Sequence, residues 1–515
     1  MNLNVNFEHE ISNEIMKEDK NDGLIQLIHA LSPNEKRYFR LSILDNSKGK
    51  NFEILYNYFE NQTDRNTDTD IPKSIKGKMN VSYEKSYLKK MILRALRSFN
   101  EDLTDNLTAL QTLIDLEILF NKKIYDDCLH VIEKMLKFTE ERELLNSRLQ
   151  YLQWYRRILL RKGDYTLLSQ KADFFKNEAN SCFRQIENLN GYREIQSEIL
   201  GVISRKGILL EKEDMNKLEE IIKHPLLKHE ENAITFHSKC HFYEAWVWYY
   251  SHTLKPELSQ KTSEEYVTFL ESNNHKILQY PQVYFSAVTN FVTRCCTIDQ
   301  YDKALLGIEK LEKIPSLKGA KVSDGLKTEI NFFAIERKLL IYTNKRDFSK
   351  AIQLYKEVNP YIEKNKNNLH IGFISLYRIF VGIACFHLKD YDATLSHLRK
   401  LFDDKNDSQR IDNYLYAHIL QIMTHVEMKN YRIVPYQIQA AKRFCKSKKF
   451  KQKSITLFFE VINKLIKTEN QIEFNQTKLS YVEKFDALLS SEGEDIIQST
   501  LAFDLWLGDS NNTTP

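Results

Sequence analysis

The chain is 515 residues long, with 42% hydrophobic residues, 28% charged residues and a formal net charge of +4. That length exceeds one ordinary core, the apolar content argues against global disorder, and the balanced charge gives no whole-protein case for nucleic acid. Only 14 glycines and 9 prolines punctuate it, which predicts helices joined by short connections. The cysteines at 128, 182, 240, 295, 296, 385 and 445 form no CxxC pair. Such an odd, scattered set reads as reduced, mostly buried thiols of a cytoplasmic protein. The acidic start MNLNVNFEHE does not read as a secretion signal, and no run approaches the ~18–20 apolar residues that span a bilayer.

Residues 1–21 are polar and expected to be poorly ordered. Ser32-Pro33-Asn34-Glu35 predicts a helix start, with Ser as cap, Pro in the first turn and Glu35 completing a capping box. Tyr38, Leu41 and Leu44/Asp45 are expected along one edge of that helix. Another helix is expected over 50–60, then a loop over 61–70. From Ser82 to about Asp102 runs an amphipathic helix whose apolar stripe reads as Tyr83, Tyr87, Met91 (or Leu88), Ala95 and Phe99. The stretch 73–97 also carries Lys73, Lys76, Lys78, Lys85, Lys89, Lys90, Arg94 and Arg97 against one acid, Glu84. With Asn80-Val81-Ser82 as a turn it looks like a helix-turn-helix that places Lys85, Lys89 and Arg94 near phosphates. The plainer reading is a solvated helix face.

From about 105 to 490, one junction returns: an apolar stretch ends, a Lys/Asp-rich turn follows, and an aromatic opens the next stretch. It reads IDQYDKAL at 298–305, NKRDFSKAI at 344–352 and LKDYDATL at 388–395. Weaker copies place Tyr125, Tyr165 and Tyr431 in the aromatic position, and a degenerate one places Met215 there. Tyr301, Phe348, Tyr391 and Tyr431 are 47, 43 and 40 residues apart. Tyr301 is followed by Ala304, Ile308 and Leu311, and Phe348 by Ala351, Tyr355 and Val358, while Val381-Gly382 precede Tyr391. In these residues the chain resembles the tetratricopeptide-repeat superfamily, with longer repeats, no first-helix Trp, and Thr394 and Val434 in place of the small Ala. The resemblance implies an all-α, right-handed α-solenoid of tandem antiparallel helix pairs. Expected boundaries are an N-terminal helical segment at 1–105, repeats over 106–490, and a capping segment with a disordered tail at 491–515.

Chemistry-bearing patterns are few. HSKCHFYEAWVWYYSH at 237–252 puts His237 and His241 four apart with Cys240 beside them, but a metal needs three or four ligands and no matching cluster presents itself. Its aromatics suit burial on several sides; a partly exposed Trp246 or Trp248 would instead be a peptide anchor. The run AKRFCKSKKFKQKS at 441–454 interleaves Phe444 and Phe450 with cations, as expected for an exposed helix end or, alternatively, for an electrostatic contact with nucleic acid or an acidic partner. There is no Walker loop, dinucleotide fingerprint or GxSxG elbow, so neither an enzyme nor a cofactor is expected. LAFDLWL at 501–507 reads as a cap on the last repeat, or else as a docking peptide.

The function expected is a cytoplasmic adaptor or scaffold that binds a protein or peptide along the concave face. Under the frame the repeat resemblance implies, inward residues are Thr289, Thr293, Glu336, Asn344 and His387, with Trp246 as an anchor. The alternative is a transcriptional regulator whose N-terminal helices bind DNA through Lys85, Lys89, Lys90 and Arg94 while the repeats act as a sensor.

Overall fold

A computed structural model describes residues 23–44, 50–61, 79–100, 104–203, 212–320, 322–365, 371–403, 411–448, 450, 452–489 and 501–508. Among them the fold is all-helical, with helices packed in adjacent pairs. None of these helices is long and apolar enough to cross a membrane. The chain divides into two compact units, Met1–Ala179 and Asn180–Pro515.

The first unit opens with α1 (Gly23–Ala30), α2 (Pro33–Phe39), α3 (Asn51–Glu60) and α4 (Val81–Phe99). The predicted capping box is present: Glu35 N–H donates to Ser32 Oγ, and Ser32 N–H to Glu35 Oε2 at 2.8 Å. The expected edge of that helix is not the buried one. α2 passes into a π-helical turn at Arg40–Leu44, which rotates the residues that follow. Phe39, just before this turn, enters the core, while Leu41 within it is 57% exposed. In α4 the expected stripe holds only in part, at Leu88 and Ala95. Leu88, Ile92 and Ala95 are buried, whereas Tyr83, Tyr87 and Phe99 face solvent. The amphipathic tyrosines leave the core to aliphatic side chains that need no hydrogen-bond partner. The basic residues expected at 73–78 lie outside the described residues, as do the segment 1–21 and all of the loop at 61–70 but Asn61.

A second cluster in this unit is built by α5 (Asp105–Asn121), α6 (Tyr125–Glu141), α7 (Leu145–Lys162), α8 (Tyr165–Gln170) and the first turns of α9 (Ala172–Ile203). Its buried tyrosines keep their hydroxyls satisfied. Tyr151 donates to the Ala109 carbonyl at 2.7 Å and Tyr155 to Glu133 at 2.8 Å.

The second unit continues through α10 (Lys212–Ile222), α11 (Phe236–His252), α12 (Pro256–Ser272), α13 (Asn274–Gln279), α14 (Pro281–Thr297) and α15 (Tyr301–Lys313). Then come α16 (Asp324–Asn344), α17 (Phe348–Asn365), α18 (Ile371–His387), α19 (Tyr391–Asp403), α20 (Ile411–Glu427) and α21 (Val434–Lys448). Helices α14/α15, α16/α17, α18/α19 and α20/α21 pack as pairs, and the first helix of each pair also packs on the first helix of the next. This is the repetition the junctions announced.

The junction itself has one backbone form. Lys123, Asp299, Arg346, Lys389 and Lys429 have left-handed φ of 57–64°, and Gly163 has 79°. Each lies two residues before Tyr125, Tyr301, Phe348, Tyr391, Tyr431 or Tyr165. The next N–H then bonds the carbonyl five residues back, as Gln300 to Cys295 and Asp390 to Cys385, both at 2.9 Å. This is a Schellman C-cap, in which the turn satisfies a carbonyl left open by the ending helix. The residue three after the aromatic is fully buried at Cys128, Ala304, Ala351, Thr394 and Val434. Thr394 is tolerated because its hydroxyl donates to the Asp390 carbonyl at 2.9 Å. At Tyr431 the aromatic does not open the helix; α21 begins at Val434, just before Pro435.

Beyond α22 (Lys453–Leu465), α23 (Gln471–Leu479) and α24 (Val482–Leu489), the segment 501–508 folds back on this unit and carries the short helix α25 (Phe503–Gly508). Leu501, Phe503, Trp506 and Leu507 are buried, and the Phe503 ring meets Phe458 and Phe485. Residues 490–500 and 509–515 lie outside the described residues.

Candidate functional site

An exposed apolar surface lies on α5. Thr104 caps this helix, its Oγ1 accepting from Leu107 N–H at 3.1 Å. Ala109, Leu116 and Phe120 form the buried row. A second row, Leu107, Leu110, Ile114 and Ile118, runs along the opposite side at helical spacing and is 39–55% exposed. A helix with apolar rows on two sides is normally enclosed on both. Here one side is bare.

Beside that row lies a groove of about 480 Å³ between α5 and α7. Leu110, Leu113, Ile114 and Glu117 form one wall, and Gln150, Gln153, Trp154 and Arg157 form the other. Trp154 is fixed edge-on against Phe120, with centroids 5.3 Å apart. The Arg157 guanidinium lies 4.6 Å from both the Trp154 and Phe120 ring centres. Gln150 and Gln153 are exposed, so each amide presents donors and an acceptor to the groove. Apolar anchors on one wall and amide groups on the other suit a peptide with apolar side chains and a polar backbone.

The residues expected to line a concave face are engaged inside the second unit. Thr289 Oγ1 donates to the Ser286 carbonyl and Thr293 Oγ1 to the Thr289 carbonyl, both at 2.8 Å. Glu336 is fully buried and pairs with Arg337 at 3.1 Å. Burial, with the Arg337 charge nearby, pushes the Arg294 guanidinium down to about 10. Asn344 lies beside the Tyr301 hydroxyl, which donates to Asp299 Oδ1 at 2.5 Å. His387 stacks on Phe348 at 4.5 Å, and its Nε2 meets the Leu501 carbonyl at 3.1 Å. Trp246 is half-buried and stacks on Tyr250 at 5.3 Å. These residues are tied to their own helices and neighbours. The face defined by α5 and α7, by contrast, leaves Leu107, Leu110, Ile114, Ile118, Gln150 and Gln153 exposed.

Other sequence candidates also resolve. His237 and His241 share a face of α11, but burial pushes His237 down to about 4, and His241 Nδ1 meets Glu244 at 3.2 Å. Among the described residues no group of three or more His, Cys, Asp or Glu side chains is placed to hold a metal. All seven cysteines are buried free thiols, and burial pushes Cys295 up to about 11 and Cys296 to about 12. Of the run at 441–454, Lys442 lies over the Phe459 ring and Phe450 stacks near Phe444.

Of the five cations of α4, the four expected to contact DNA separate into two pairs. Lys85 lies over the Phe59 ring at 5.4 Å, and the half-buried Lys89 puts its ammonium beside Gly23. Lys90 and Arg94 point to solvent.

Compared with known proteins, the chain matches no family model, no curated protein and no solved structure.

Proposed function

We propose that this chain is a non-enzymatic helical-repeat protein, a solenoid of antiparallel helix pairs similar in build to tetratricopeptide repeats. It acts as a cytoplasmic adaptor or scaffold by binding a protein or peptide segment. The observation that carries this reading is the bare row of Leu107, Leu110, Ile114 and Ile118 beside the α5/α7 groove. Contiguous apolar surface of this kind mark an interaction site, and a fixed tryptophan at its edge is the type of anchor that dominates interface energies. The seven reduced thiols support a reducing compartment.

Site-directed photo-crosslinking tests the reading. A photoreactive side chain at Ile114 is expected to capture a defined protein in cells, with capture lost on Leu110→Asp. Crosslinking at Ile114 no stronger than at Tyr436, which is 73% exposed and lies in the other unit, would overturn it.

A further inference from the structure

The outer face of α4 has a composition that peptide binding at the groove does not use. Leu88, Ile92 and Ala95 turn inward, while Tyr83, Ser86, Tyr87, Lys90, Arg94 and Arg97 are exposed. Lys90, Arg94 and Arg97 form no ion pair among the described residues, and their four- and three-residue spacing sets them in one row, about 6 and 4.5 Å apart along the axis. The one acid of the helix, Glu84, is half-buried and accepts from Asn51 Nδ2 at 3.1 Å. Tyr83 and Tyr87 continue the row toward the helix start, their rings parallel with centroids 6.3 Å apart.

We propose that this face is a binding surface for duplex DNA. Lys90, Arg94 and Arg97 contact backbone phosphates, and the hydroxyls of Tyr83, Ser86 and Tyr87 add hydrogen bonds. Three uncompensated cations on an acid-free face complement a polyanion, which gains by releasing its counterions. Cations interspersed with hydroxyls form the donor set that proteins use on phosphates. The 19-residue helix bares one side to solvent, and the roughly 12 Å major groove of DNA admits such a helix, whereas the narrow, deep groove of A-form RNA does not. An acidic protein surface is the competing occupant. It is favoured less because Leu93 is the one aliphatic residue on this face, and protein interfaces need a buried apolar centre.

The test is fluorescence anisotropy of the full-length protein with a labelled random-sequence duplex of about 20 base pairs at several salt concentrations. Wild type is expected to bind with a steep salt dependence. The triple variant Lys90→Ala, Arg94→Ala, Arg97→Ala is expected to flatten the slope of log K against log salt by about 2–3 and to weaken binding more than about tenfold. A control of equal charge change on exposed lysines elsewhere in the same unit, Lys134→Ala, Lys137→Ala, Lys176→Ala, is expected to keep wild-type binding. Circular dichroism checks that both variants retain helicity. Equal loss in the control, no DNA binding at low salt, or capture of poly-glutamate in place of DNA would each overturn the proposal.

Discussion

Trp506 and Glu427 are 79 residues apart in the chain, and the indole Nε1 donates to the Glu427 carboxylate at 2.6 Å. The same carboxylate oxygen accepts from Lys478 Nζ at 2.6 Å, and the Lys478 ammonium sits 4.3 Å from the Trp506 ring centre. Arg346 pairs with Asp504 in the same segment. Residues 501–508 are thus fastened to the second unit by apolar burial and by charge.

Trp506→Ala is therefore expected to destabilise the second unit by about 3–5 kcal/mol, the cost of an emptied aromatic site. Trp506→Phe is expected to cost less, about 1–2 kcal/mol, because Lys478 still pairs with Glu427. Urea unfolding followed by circular dichroism reads both. A loss below about 0.5 kcal/mol for the alanine variant, typical of surface positions, would mean that this segment is not part of the core.

The Schellman turns make a prediction of opposite sign. Lys389 holds a left-handed φ of 64° with a Cβ that this region disfavours. Lys389→Gly is expected to stabilise by up to about 1 kcal/mol, the preference for glycine at this cap. Gly163→Ala is the converse case. No atom lies within 4 Å of the added methyl, so a loss of about 1–2 kcal/mol would be conformational alone. Thermal midpoints of the two variants should move in opposite directions.

Gly307 tests the packing of α14 against α15. A Cβ there would lie 2.6 Å from Val292 Cγ2 and 3.2 Å from the Phe291 ring. Valine is stiff at χ1 and gives way poorly, so Gly307→Ala is expected to cost about 1–3 kcal/mol by overpacking. Gly307→Ala combined with Val292→Ala should recover part of that loss, measured as a double-mutant cycle.

Buried histidines are expected to contribute to the response to acid: burial holds His237, His252, His397 and His425 below the usual histidine value. Burial pushes both His237 and His397 down to about 4. A histidine held neutral in the folded state contributes stability that is complete above the unfolded value, about 6.5. That stability is lost as pH falls toward 4, at up to about 1.4 kcal/mol per pH unit for each group. The urea midpoint is expected to hold steady from pH 8 to 7 and to fall between pH 6.5 and 4. His397→Gln should flatten the fall; an unchanged slope would remove His397 as its source.

Part of the candidate surface was legible in the sequence. The basic face of α4 stands out as a charge pattern, yet its four named cations share charge without sharing orientation. Lys85 and Lys89 turn back to Phe59 and Gly23, while Lys90 and Arg94 remain free to meet a partner. The α5 groove was missed. Its one sequence signal was a second apolar row, Leu107, Leu110, Ile114 and Ile118, which by itself reads as burial on all sides.

What the sequence determined by itself was whatever short-range chemistry controls. The capping box at Ser32 and Glu35, the left-handed turn two residues before each aromatic, and the small buried position three after it all act within about two helical turns. An all-helical chain of adjacent pairs follows from such local signals and from the scarcity of glycine and proline. Orientation belonged to the tertiary structure. Successive helix positions are about 100° apart, so a π turn at Arg40–Leu44 or a neighbour arriving from 79 residues away decides which side chain is enclosed. That is why Glu336, expected in an open groove, is fully buried, and why the bare apolar row lies on α5 instead.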